Sequence, residues 1–161
     1  MTDVLVLFGP NLNMLGTREP EIYGSDTMQD IMALLEERAG ELGRRIEMMQ
    51  SNDESVLVTA IQTARTGAAS ILFNLAAYTH TSVALRDALA MFDGPKVEVH
   101  LSNNDRRESF RHVSMTAAVS DGSIVGFGRD SFLLGLDAVH RLLARRGDDG
   151  SGRQLMKGDI G

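Results

Sequence analysis

Residues 4–8 read Val4-Leu5-Val6-Leu7-Phe8, an unbroken apolar run of strand length that stops at Gly9-Pro10. A strand with one face in water alternates apolar and polar residues. One that is apolar on both faces belongs inside a parallel sheet covered by helices on either side. The pattern downstream agrees. Ser25, Asp26 and Thr27 offer N-caps to a helix with apolar residues at Ile31, Leu34, Leu35 and Leu42, stopped by Gly43. A second strand over residues 45–50 leads through Ser51-Asn52-Asp53 to a helix carrying Val56, Leu57, Ala60, Ile61 and Ala64, closed by Gly67. Residues 69–73 read as a third strand, 79–91 as a helix and 97–101 as a fourth strand. After a polar stretch (102–108) and a weaker segment (113–119), residues 123–127 read as a fifth strand. It feeds a helix with Leu133, Leu134, Leu136, Val139, Leu142 and Leu143. Alternating strands and helices imply right-handed βαβ units. The expected fold is α/β, a flavodoxin-like three-layer sandwich with a five-stranded parallel sheet. Residues 1–146 form one catalytic domain in this reading, and the Gly-, Asp-, Ser- and Arg-rich tail, 147–161, is expected to be disordered.

Composition narrows the function. At 161 residues the chain suits one domain, and 43% hydrophobic with 24% charged residues is ordinary for a globular protein. No apolar run approaches the roughly 18 residues of a membrane span, and no basic segment precedes the first apolar run, so a cytoplasmic protein is expected. Zero cysteines exclude disulfides, thiolate nucleophiles and Cys-ligated metals. A net charge of −6 argues against a nucleic-acid surface, which needs clustered cations. The only lysines are Lys96, beside Pro95, and Lys157 in the tail, poor candidates for imine catalysis. The histidines, His80, His100, His112 and His140, lack metal-site spacing, which leaves a metal only scattered ligands.

In sheets of this type ligands bind outside the carboxyl ends of the strands. The residues there are Asn11, Asn13 and Arg18 after the first strand, Ser51 and Asn52 after the second, and Asn74 and His80 after the third. His100 and Ser102 stand at the fourth, with Arg111 further on. Gly126-Phe127-Gly128 resembles half of a dinucleotide fingerprint, but Ser131 stands at the third glycine position and a tight strand-to-helix turn explains it better. The first loop is about twice the usual length for a βα connection, which suits a lid or binding loop. It carries Arg18 and Tyr23: a guanidinium beside a phenol stabilises the phenolate, a usable general base, although an exposed loop with an incidental Arg and Tyr reads the same way. Glu98-Val99-His100 puts a carboxylate and an imidazole on one face of an apolar strand, which is either a general acid held in one orientation or a satisfied core pair. His112 and His140 have surface-like neighbours. Arg106-Arg107 beside Glu108 reads as a solvated face, whereas Arg111, after Phe110, can point inward.

GPNLNMLGTREPEIYG (9–24), FNLAAYTHTSVALRDAL (73–89) and VEVHLSN (97–103) followed by RESFRH (107–112) resemble, in order and spacing, the type II 3-dehydroquinate dehydratases. The similarity runs over about residues 4–144. It implies a cofactor-free, metal-free lyase of the shikimate or quinate route, converting 3-dehydroquinate to 3-dehydroshikimate by anti elimination of water through an enolate. By that resemblance Tyr23 removes the proton at carbon 2 with Arg18 lowering its pKa, and Asn11 holds a water that stabilises the enolate. His100, oriented by Glu98 and assisted by Asn74, protonates the leaving hydroxyl at carbon 1. The backbone at Leu101 and Ser102 takes the substrate carboxylate, His80 and Arg111 bind ring hydroxyls, and Asp87 reaches a neighbouring subunit's site. The resemblance also implies a homo-oligomer, a dodecamer built of trimers, with a small-molecule substrate and neither nucleic acid nor membrane as partner.

Five positions depart from the family pattern. Phe8 stands where a polar residue is usual, Asp53 replaces a common His, Leu75 a common Pro, and Val113 and Met115 differ from the usual stretch after Arg111. They bear on pocket polarity and packing. An alternative is therefore a paralogue that binds or turns over a related cyclic hydroxy-ketone acid. A flavodoxin-like nucleotide binder is a more distant one.

Overall fold

The structure, a computed structural model, describes residues 1–17 and 19–148, without the side chains of Pro20, Tyr23 and Asp148. Its strands are β1 (Thr2–Phe8), β2 (Ile46–Gln50), β3 (Ala68–Asn74), β4 (Lys96–His100) and β5 (Gly122–Val125). The helices are α1 (Pro20–Tyr23), α2 (Met28–Glu41), α3 (Glu54–Gly67), α4 (Val83–Ala90) and α5 (Asp130–Asp148). All strand pairs are parallel, in the order β2-β1-β3-β4-β5. This is the expected flavodoxin-like sandwich. Among the described residues no helix is long and apolar enough to cross a membrane.

The apolar run in β1 feeds two cores, because successive side chains point to opposite faces. Val4, Val6 and Phe8 join Leu72, Val97 and Val99 under α2 and α5, while Leu5 and Leu7 join Ile71 and Phe73 under α3 and α4. Phe8 is fully buried with its ring on Phe132, centroids 5.0 Å apart. This apolar residue therefore completes a core aromatic pair and leaves pocket polarity untouched. Leu75 is likewise fully buried, in the second core. Asp53 caps α3, accepting from the backbone N–H groups of Ser55 and Val56 at 2.8 and 3.4 Å.

Several boundaries differ from the sequence reading. The long first loop contains a 3-10 turn (Leu12–Met14) and the short α1. The helix expected from residue 79 begins at Val83, because the Ser82 hydroxyl accepts the Leu85 N–H at 2.9 Å and residues Ala76–His80 wind into a separate 3-10 turn. Residues 113–119 hold only a 3-10 turn, Ala117–Val119. β5 ends at Val125 since Gly126 takes φ 98°, a left-handed conformation that glycine adopts readily, and Phe127 swings out to 63% exposure. The Gly126-Phe127-Gly128 segment is the tight turn: Gly126 and Gly128 donate to the carbonyls of His100 and Leu101, and the buried Ser131 hydroxyl accepts from the Phe127 N–H. α5 continues through Gly147 to Asp148, with Arg145 and Arg146 in a last turn that favours cations. The remainder of the proposed tail, 149–161, lies outside the described residues.

Candidate active site

The strand order reverses between β1 and β3, and there the connections leave in opposite directions and open a crevice. A cleft of about 660 Å³, measured out to its open mouth, lies there. Of the residues singled out in the sequence, Asn11, Asn74, His80, His100, Leu101, Ser102 and Arg111 line it. Its apolar wall comes from Leu12, Met14 and Leu15 of the first loop.

The backbone brings these groups together by close approach. Gly9 donates to the Asn74 carbonyl at 2.7 Å, and a Cβ at Gly9 would lie 2.5 Å from the backbone of Leu75, so only glycine lets the two loops meet. Asn11 then sits at φ 68°, a left-handed conformation that asparagine tolerates, and its N–H donates to Asn52 Oδ1 at 3.0 Å. Asn52 Oδ1 also accepts from Gln50 Nε2. Asn13, Ser51 and Asn52 do not line the cleft: Asn13 and Asn52 brace the first loop through Gln50, and the Ser51 hydroxyl accepts from the Asp53 N–H. Asn74 Oδ1 accepts the N–H of Ala76, whose φ of 50° is rare for alanine. That bond fixes the buried Asn74 amide at the end of β3.

On β4, Glu98 and His100 share the α3/α4 face, as the two-residue spacing requires. Both are buried, and His100 Nε2 lies 2.6 Å from Glu98 Oε1. With Nε2–H donated to the carboxylate, Nδ1 is the nitrogen left for the cleft, and it has no hydrogen-bond partner among the described residues. Burial would push the Glu98 carboxyl up; the hydrogen bond and charge of His100, with the Thr116 and Ser114 hydroxyls, outweigh it and hold the group below the usual carboxylate range. His80 stacks on His100 with centroids 6.5 Å apart and is anchored by its Nδ1 contact to the Val113 carbonyl at 2.8 Å. The exposed Val113 thus acts through its backbone.

Arg107 corrects the sequence reading. Arg106 is exposed, but the Arg107 side chain is 12% exposed and lines the cleft, with Nη1 3.3 Å from Ser102 Oγ. The 3-10 turn Asn104–Arg106 turns the chain so that the two neighbours face opposite ways. Arg111, 17% exposed, donates to Glu108 at 2.8 Å and lies over the Phe110 ring at 4.9 Å. Two guanidiniums therefore face one cleft and suit an anionic, hydroxylated ligand. Asp87, on α4, does not line this cleft; it is 61% exposed and pairs with Arg86 at 3.1 Å. Arg18 lies outside the described residues. Tyr23 is placed by its backbone alone, as the last residue of α1.

A family model described as "Dehydroquinase class II" matches residues 2–140. The chain is 53% identical over 146 residues to a 3-dehydroquinate dehydratase of Trichodesmium erythraeum, covering 91% of this chain and 97% of that one. It is 58% identical over 136 residues to a 3-dehydroquinate dehydratase of Geotalea daltonii, covering 84% and 94%. Among solved structures, a type II dehydroquinase from Butyrivibrio crossotus superposes with TM-score 0.84 at 41% identity, covering 86% of this chain and 97% of its own. With both sequence and fold matched over nearly the full length of these relatives, the chain belongs to the class II dehydroquinase family.

Proposed function

We propose that this chain is a 3-dehydroquinate dehydratase of the shikimate or quinate pathway, a hydro-lyase that forms 3-dehydroshikimate by anti elimination. One observation carries the reading beyond family membership: a buried carboxylate holds the His100 ring 2.6 Å away with its second nitrogen left to the cleft, as a proton donor to a leaving hydroxyl requires. In the proposed reaction the Tyr23 phenolate, its charge supported by Arg18, takes the proton at carbon 2. The bonding pair moves into the ketone as an enolate, stabilised by a water held on Asn11. The enolate then collapses, the bond from carbon 1 to oxygen breaks, and the leaving hydroxyl takes a proton from His100 Nδ1 and departs as water. Asn74 assists at that oxygen. The backbone of Leu101 and Ser102 meets the substrate carboxylate, and His80 and Arg111 meet the ring hydroxyls.

The proposal includes assembly as a dodecamer of trimers in which Asp87 serves a neighbouring site. Its exposure, away from its own chain's cleft, supports that role. A fully active monomer in solution would sink that part. For the reaction itself, the test is the ultraviolet absorbance of the conjugated enone on adding 3-dehydroquinate to purified protein. Stoichiometric appearance of the enone is expected; binding without absorbance change would instead favour a non-catalytic relative.

A further inference from the structure

Glu98 is 1% exposed, yet it carries four short contacts from three side chains. Oε1 lies 2.6 Å from His100 Nε2 and 2.8 Å from Ser114 Oγ; Oε2 lies 2.8 Å from Thr116 Oγ1 and 3.0 Å from Ser114 Oγ. Each hydroxyl has one proton to give. Ser114 Oγ already accepts the Ala117 N–H at 3.0 Å, and the fully buried Thr116 hydroxyl has Ser114 Oγ, at 3.2 Å, as its other neighbour. The arrangement that satisfies every proton sends Thr116 to Oε2, Ser114 to the carboxylate and Nε2–H to Oε1. The Ser120 hydroxyl fixes the segment by donating to the Thr116 carbonyl at 2.9 Å.

We propose that Thr116, backed by Ser114, is a positioning residue for the dehydration: its hydroxyl fixes the Glu98 carboxylate so that His100 works as an imidazolium acid. The inference rests on the proposed function above. Without that donor, the buried carboxylate keeps only the single Ser114 proton beside Nε2–H, too few for its two oxygens, and it gains affinity for the Nε2 proton. A proton passed from Nε2 to Glu98 leaves His100 a neutral imidazole, whose remaining Nδ1–H is a far weaker acid. The leaving hydroxyl then departs slowly although substrate still binds, because Thr116 touches neither the cleft nor the substrate carboxylate site.

The experiment compares Thr116→Val, which keeps the shape and removes the hydroxyl, with Thr116→Ser, which keeps the hydroxyl, in steady-state turnover of 3-dehydroquinate. Thr116→Val is expected to lower kcat about tenfold or more with KM within about twofold, and Thr116→Ser to recover most of kcat. If Thr116→Val does not fold, Ser114→Ala supplies the same readout at a half-buried position, with the same fall in kcat expected. An unchanged kcat in the hydroxyl-free variant overturns the inference. So does a loss confined to KM, or an equal loss in Thr116→Ser, which would point to the methyl group and packing. A wild-type chain inactive on 3-dehydroquinate would instead overturn the proposed function, so the two failures are distinct.

Discussion

At the scale of single residues, chemistry and position separate cleanly at Phe8. By the family resemblance a polar residue is usual there, but the Phe8 ring is fully buried on Phe132 and is not among the residues that line the cleft. Phe8→Ala should therefore lower unfolding stability by about 3–5 kcal/mol in urea titration while KM for 3-dehydroquinate stays within about twofold. A large change in KM with little loss of stability would show that the residue shapes the pocket after all. Glu98 and His100 were legible in the sequence because two polar residues at strand spacing interrupt an apolar strand. Arg107 was not: flanked by Arg106 and Glu108, it looks solvated, and only the 3-10 turn before it rotates its side chain into the cleft. Thr116 and Ser114 gave no local signal either, since their partner Glu98 is 16–18 residues away and the contact exists only in three dimensions.

At the scale of elements, the strands and long helices follow from periodicity, whereas their ends follow from particular hydrogen bonds. The sequence reading starts this helix at residue 79, but Ser82 captures an N–H and starts α4 at Val83, leaving His80 on a separate turn beside His100. Asp53 shows the same logic in α3, and a cap made by a carboxylate depends on pH. The Ser55 hydroxyl and the N–H groups of Ser55 and Val56 hold its carboxyl below the usual range. The stabilisation is then fully present above the ordinary carboxyl pKa and is lost as pH falls through the lower folded value. Asp53→Asn retains a neutral cap without this dependence. Urea midpoints of the two proteins should differ near neutral pH and converge on acidification; a difference that stays constant into strong acid would contradict the charged cap.

At the scale of the whole molecule, the β2-β1-β3-β4-β5 order puts the switch point between β1 and β3, and the first loop, the β3 turn and the end of β4 meet above it. The sandwich was readable from the β1 run and the alternation that follows. The meeting of these loops rested on topology, and the close approach of Gly9 to Leu75 is what makes it tight. The proposed chemistry is divided across that gap, with the base on the first loop and the acid on β4. Exchange of the carbon 2 proton of 3-dehydroquinate with solvent deuterium, followed by NMR beside net dehydration, tests that division most directly. Tyr23→Phe is expected to abolish both. His100→Ala is expected to lose about 100- to 10,000-fold in dehydration while some exchange survives, since the enolate still forms. Exchange retained in Tyr23→Phe and lost in His100→Ala would contradict the division and reverse the two roles.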